Sequence, residues 1–159
     1  MKSGCFSKMF LVLIACMLLM HGQVGGVQAS PSTVDWAMFR FNPAHTGTTT
    51  ETVPAANLAL RWSYTTGDTV VSSPAVSGGV VYVGSWDNKV YALNASTGSH
   101  IWNYMTGDDI DSSPAVSGGV VYVGSYDNKV YALNALTGSE IWSYTTGLDI
   151  YSSPAVSGG

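Results

Sequence analysis

Between Ser72 and Tyr151 apolar residues arrive in short bursts, cut by small clusters of glycine, serine, asparagine and aspartate. No stretch repeats apolar positions every three or four residues, so helices are not predicted there. The bursts are rich in valine, tyrosine and tryptophan, which suit a pleated sheet. Each repeating unit predicts four strands: "SSPAV" (72–76), "VVYVGS" (80–85), "KVYALN" (89–94) and "HIWNYM" (100–105). The turns between them are Ser77-Gly78-Gly79, Trp86-Asp87-Asn88 and the "ASTG" of 95–98. Gly-Gly and Asp-Asn tolerate positive φ and suit tight hairpins. Loops this short force an antiparallel meander.

The strands are apolar on both sides. Val81 and Val83 point one way, Val80 and Tyr82 the other; Val90 and Ala92 oppose Tyr91 and Leu93. A sheet with one face in water would alternate apolar with polar residues. Two apolar faces require a neighbour on each side. Pro74 has no N–H to donate, so its strand belongs at an edge, here the inner edge beside a central channel.

The pattern repeats with a strict period of 40 residues: residues 72–111 and 112–151 differ at only seven positions. These are Trp86/Tyr126, Ser96/Leu136, His100/Glu140, Asn103/Ser143, Met105/Thr145, Asp108/Leu148 and Asp111/Tyr151. A β-type period of this length predicts the blades of a β-propeller. The fold class is therefore all-β, with four-stranded antiparallel blades stacked face to face and the ring incomplete. Propellers use about four to eight blades, and two cannot close a ring. "SSPAVSGG" (152–159) opens a third copy, and "LALRWSY" (58–64) aligns with the fourth strand of a blade. The expectation is an N-terminal portion of a longer propeller; the other reading is a short chain that completes its ring by oligomerising. The expected division is a leader at 1–29, an N-terminal lead-in segment at 30–57 and repeats at 58–159. Within the last, 58–71 is a closing-type strand with its loop, and 72–111 and 112–151 are the blades.

Lys2 and Lys8 precede the apolar run "MFLVLIACMLLM" (9–20), and Val27-Gln28-Ala29 reads as a small-residue cleavage site. That combination predicts a secretory signal peptide. An uncleaved anchor is the other reading, but a span needs roughly 20 apolar residues. "LIAC" (13–16) has the look of a lipoprotein box, although the run stays apolar after Cys16. Both cysteines, Cys5 and Cys16, lie in the leader, so the mature chain would hold no disulfide and no cysteine nucleophile. Cleavage leaves Arg40, Arg61, Lys89 and Lys129 against ten acidic residues, a net charge of −6. With no basic stripe, nucleic acid is disfavoured as a partner, and no transmembrane span is expected after leader removal.

"YALNASTGSHIWNY" (91–104) and "YALNALTGSEIWSY" (131–144) resemble the PQQ-like repeat family, whose blades carry Ala-Leu-Asp-x-x-Thr-Gly-x-x-x-Trp. Ala92, Leu93, Thr97, Gly98 and Trp102 match, as do Ala132, Leu133, Thr137, Gly138 and Trp142; Asn94 and Asn134 stand in place of Asp. "DWAMFRFNPAHTG" (35–47) is similar to the segment that opens many mature members. The resemblance implies an exported propeller whose tryptophans dock on the neighbouring blade. It also implies two possible roles. One is that of quinone-dependent alcohol and glucose dehydrogenases, which hold pyrroloquinoline quinone and calcium, commonly against an adjacent Cys-Cys disulfide. The other is that of non-catalytic scaffolds such as the BamB-type outer-membrane assembly lipoprotein. No Cys-Cys pair occurs here.

Candidate chemistry is sparse, and no catalytic, cofactor or metal residue is assigned. Trp62, Trp102 and Trp142 are read as core rather than ligand platforms. Asp108, Asp109 and Asp111 in "GDDID" lack the glycine and distal glutamate of a calcium loop and are read as a solvated loop. His45 and His100 have no partner at ligand spacing. Glu140 replaces His100, so that position is expected to be exposed. Asn94-Ala95-Ser96 is a glycosylation sequon that the second unit lacks. The loops at 86–88 and 107–111 would share one rim. The reading is a non-catalytic exported scaffold, with no cofactor, that binds protein or glycan partners at the cell envelope; the alternative is part of a quinoprotein dehydrogenase.

Overall fold

The computed structural model describes residues 35–40 and 59–157. The expected leader, both cysteines, His45 and most of the lead-in segment lie outside the described residues. Eight strands form: β1 (Ala75–Ser77), β2 (Val80–Gly84), β3 (Lys89–Asn94) and β4 (His100–Met105), then β5 (Ala115–Ser117), β6 (Val120–Gly124), β7 (Lys129–Asn134) and β8 (Glu140–Thr145). They make two four-stranded antiparallel meanders, β1-β2-β3-β4 and β5-β6-β7-β8. The two sheets do not close on themselves; they are two blades of an incomplete propeller.

The first strand of each blade is shorter than expected and begins at Ala75, not Ser72. The cause is serine chemistry. Ser72 Oγ accepts from Gly84 N at 3.2 Å, and Ser73 N donates to Ser113 Oγ of the next repeat at 2.9 Å. Ser113 N donates in turn to Ser153 Oγ at 3.0 Å. Hydroxyls thus take the backbone groups that a ladder would have used, ahead of the donor-less Pro74. Gly78 and Gly79 (φ 57° and 77°) close the first hairpin, and Asn88 (φ 66°) closes the second.

Register explains the two apolar faces. Val81 pairs with Leu93 and Val83 with Tyr91, while Tyr82 pairs with Ala92 and Ala92 with Trp102. Cross-strand partners share a face. One face of the first blade gathers Val81, Val83, Tyr91 and Leu93 under Trp62, Tyr64 and Val70 of the preceding segment. Its other face, with Tyr82, Val90, Ala92 and Trp102, packs on Val121, Val123, Tyr131 and Leu133 of the second blade. The outer strand β4 departs from the expectation. A register shift beside Ala92/Leu93 leaves Ile101 as an extra, unpaired residue, and only Trp102 of β4 is buried.

The sheets converge at β1 and β5, which places these strands at the inner edge. There they meet the lead-in segment. Val76 N donates to Trp36 O and Val116 N to Ala37 O, both at 2.6 Å. One short stretch of chain therefore satisfies the inner edges of both sheets. Asp35 adds contacts to the first hairpin, accepting from Ser77 Oγ at 3.0 Å and Gly78 N at 3.2 Å.

Candidate functional site

Two successive tryptophans, Trp62 and Trp102, each dock on the repeat that follows. Trp62 Nε1 donates to Ala95 O and Trp102 Nε1 to Ala135 O, both at 3.0 Å. The receiving turn is built for it. Gly98 (φ +72°) and Gly138 (φ +75°) carry no Cβ, which would sit 2.6 Å from Trp62 and 2.7 Å from Trp102 respectively. The Thr-Gly and the Trp of one repeat motif thus serve opposite neighbours. Asn94 Oδ1 holds the same turn, accepting from Ser96 N and Thr97 N at 2.9 and 3.0 Å. Asn134 does likewise for Leu136 and Thr137. Trp102 is core, as expected, at 7% exposure. Trp142 is not: it is 45% exposed, because no further sheet covers that face among the described residues.

The loops at 86–88 and 107–111 come together on one rim, beside the equivalent turn of the second blade. Asp111 accepts from both Trp86 Nε1 and Tyr126 OH, and the Tyr126 and Tyr151 rings lie 4.6 Å apart. Trp86 is 39% and Tyr151 61% exposed. The aspartate cluster is therefore not simply a solvated loop: Asp111 ties one blade's turn to the next. Asp108 Oδ1 accepts from Asp109 N at 2.9 Å. Burial, then the carboxylates of Asp108, Asp68 and Asp111, hold the Asp109 carboxyl above its ordinary value.

Two rim carboxylates were not singled out from sequence. Asp87 and Asp127 accept from Gly67 N and Gly107 N at 2.7 Å and from Tyr91 OH and Tyr131 OH at 2.5 Å. They anchor the preceding interblade loop. Their signal was present: both lie in turns, yet neither changes between repeats. Seven of the ten acidic residues share this rim, Asp87 and Asp127 with Asp68, Asp108, Asp109, Asp111 and Asp149. Tyr126 OH is raised above its ordinary value chiefly by its bond to Asp111.

His100 and Glu140 begin β4 and β8 on the opposite side, and both are exposed. His100 stacks on Tyr64 at 6.3 Å and pairs through Nε2 with Asn103 Nδ2 at 2.9 Å. Glu140 accepts from Tyr104 OH of the first blade. That bond lowers the Glu140 carboxyl; burial, then the same bond, pushes Tyr104 up to about 12.

No three His, Cys, Asp or Glu side chains among the described residues are set to hold a metal ion. The inner strands, which would face a channel cofactor, are hydrogen-bonded to Trp36 and Ala37. The described residues do not fit a quinone–calcium pair. No described helix is long and apolar enough to cross a membrane.

No match was found among curated proteins. Solved structures do match. The BamB of Moraxella catarrhalis is 24% identical, with a TM-score of 0.53, over 57% of this chain and 28% of that one. The quinohemoprotein alcohol dehydrogenase of Comamonas testosteroni is 32% identical, with a TM-score of 0.68, over 78% of this chain and 22% of that one. Alcohol dehydrogenase ADHIIG of Pseudomonas putida HK5 is 28% identical, with a TM-score of 0.71, over 79% and 22%. The chain thus spans roughly a quarter of these proteins' length. A family model described as outer membrane protein assembly factor BamB matches residues 47–147, well over half of the chain. With two stacked meander blades and tryptophans docked from repeat to repeat, this chain belongs to the PQQ-like repeat family of β-propellers.

Proposed function

We propose that the chain serves outside the cytoplasm as a non-catalytic propeller scaffold, exported by the leader at 1–29 and binding a partner at the cell envelope. In this reading 30–57 leads into the propeller, 72–111 and 112–151 act as equivalent blades, and loops rather than inner strands carry recognition. One observation carries it. The buried residues that pack blade on blade keep one sequence, while the replacements at 86/126, 108/148 and 111/151 fall on a single rim and build its aromatic and acidic surface. Loops on a rigid scaffold are where binding specificity resides.

The second reading is a quinoprotein dehydrogenase. It is favoured by the 32% identity to the Comamonas testosteroni enzyme, with the active site contributed from outside the residues described. The two are separated by adding pyrroloquinoline quinone and calcium to the full-length protein and following dye-linked alcohol oxidation. The scaffold reading expects none; turnover overturns it. Mass spectrometry of the exported protein should find the mature chain beginning at Ser30.

A further inference from the structure

The turn that closes the first hairpin holds a carboxylate. Asp35 Oδ2 accepts from Ser77 Oγ at 3.0 Å, and both Asp35 oxygens lie 3.2 Å from Gly78 N. Asp35 is exposed, so the donors of the turn hold this group and burial does not. The turn recurs in the second blade as Ser117-Gly118-Gly119. Its glycines keep the same conformation, with φ of 57° and 78° against 57° and 77°. Each turn is braced alike, since Gly79 O accepts from Ala95 N and Gly119 O from Ala135 N, both at 2.9 Å. A Cβ on any of these glycines would meet nothing within 4 Å, so both turns open outward. The lead-in chain supplies a carboxylate to the first turn alone. Trp36 O bonds Val76 N and Ala37 O bonds Val116 N. The residue before the first acceptor is Asp35; the residue before the second is Trp36, whose side chain carries no oxygen. Among the described residues, Ser117 Oγ and Gly118 N have no acceptor.

We propose that the Ser117-Gly118-Gly119 turn binds a carboxylate from a partner molecule, with Ser117 Oγ and Gly118 N donating as their counterparts donate to Asp35. The proposal goes beyond the scaffold reading and does not depend on it. A hydroxyl and a backbone N–H aimed at one point make an anion-binding concavity, and bonds to an ionised acceptor are stronger than neutral ones. The first blade shows that a carboxylate fits this geometry. The surrounding charge permits an anion as well. The turn joins β5 to β6 and lies at the end of the blade away from the acidic rim. β6 spans Val120–Gly124, roughly 17 Å of strand, about two Debye lengths in physiological salt. Salt therefore screens the rim carboxylates from this end. Arg61, whose Nε donates to Ser96 O at 2.8 Å, lies on the same end as these turns. The carboxylate can come from an acidic side chain of a polypeptide or from a small organic acid, two sources with one chemistry.

The test uses the full-length protein, isotope-labelled at its glycine amides. It is titrated at constant ionic strength with a blocked glycyl-aspartyl-glycine peptide, with the asparaginyl counterpart and with sodium acetate. Nuclear magnetic resonance follows the Gly78 and Gly118 amide signals. The Gly118 signal should move saturably with the aspartyl peptide, while Gly78 stays still because Asp35 occupies its turn. Asp35→Asn should make Gly78 respond too. Ser117→Ala should weaken binding at Gly118 by roughly tenfold, the scale of one hydrogen bond to a charged group. Asp108→Asn, on the acidic rim, should leave it unchanged. Acetate that binds as tightly as the peptide identifies a small acid as sufficient; a tighter peptide identifies a polypeptide as the source. A Gly118 signal that ignores both carboxylate probes overturns the proposal, as does one that answers the asparaginyl peptide equally. Neither result touches the scaffold reading, which only quinone-dependent turnover removes.

Discussion

The two blades are a natural experiment: nearly one sequence folded twice, with different surroundings. The first blade has neighbours on both sides, residues 62–70 on one face and the second blade on the other. The second blade presents the equivalent of that second face, and there it loosens. Tyr82 and Val90 are buried, whereas Tyr122 and Val130 are only partly so. Trp102 is 7% exposed and Trp142 is 45%. Burial in a propeller is thus a property of the stack, and no repeat carries it alone.

The largest contrast should come from the tryptophans. Trp102→Ala removes a ring packed between sheets and should cost about 3–5 kcal/mol. Trp142→Ala removes a half-exposed ring and should cost less than half as much. Urea unfolding of the two variants measures the gap, and equal losses would mean that a neighbour covers Trp142 in solution. The glycines come next. A Cβ on Gly84 would lie 2.3 Å from Ile110 Cγ2, and one on Gly124 would lie 2.4 Å from Ile150 Cγ2. Ile110 is fully buried and has nowhere to go, whereas Ile150 is only partly covered. Gly84→Ala should cost about 1–3 kcal/mol by overpacking, and Gly124→Ala should fall below it in the same assay.

The smallest effect concerns the bond from Tyr104 to Glu140 across the blades. A phenol whose folded value is raised lends stability that is complete below its unfolded value of 10.0 and is lost as pH climbs to about 12. Phenolate absorbance should therefore show this tyrosine titrating late. Glu140→Gln should bring it down, because it removes the carboxylate that opposes ionisation. A Tyr104 that titrates identically in both proteins would mean that burial and the Asp127 carboxylate set its value without Glu140.

Much of the blade was legible from alternation and turns. β3 and β4 match their expected limits, and the pairing of Val81 with Val83 against Tyr82 on the opposite face follows from a two-residue period. Other features depend on groups that periodicity does not weigh. Ser72 and Ser73 read as strand, but their local bonds go to hydroxyls and to the next repeat. The slip that leaves Ile101 unpaired lies in a run with no glycine or proline to mark it. Trp142 carries the same motif as Trp102, so a reading of letters assigns both to the core. The rim shows the reverse case. The replacements at 86, 111, 126 and 151 were visible, and the hairpin order placed them on one side. That a single carboxylate joins Trp86 to Tyr126 required geometry.

The stretch at Trp36 and Ala37 carries one more implication, for the order of assembly. Its acceptor carbonyls wait for amides that lie one repeat and two repeats further along the chain. The stretch can therefore complete its bonds only once Ala75–Ser77 and Ala115–Ser117 are both in place, and until then the inner amides of Val76 and Val116 remain open to water or to a stray strand.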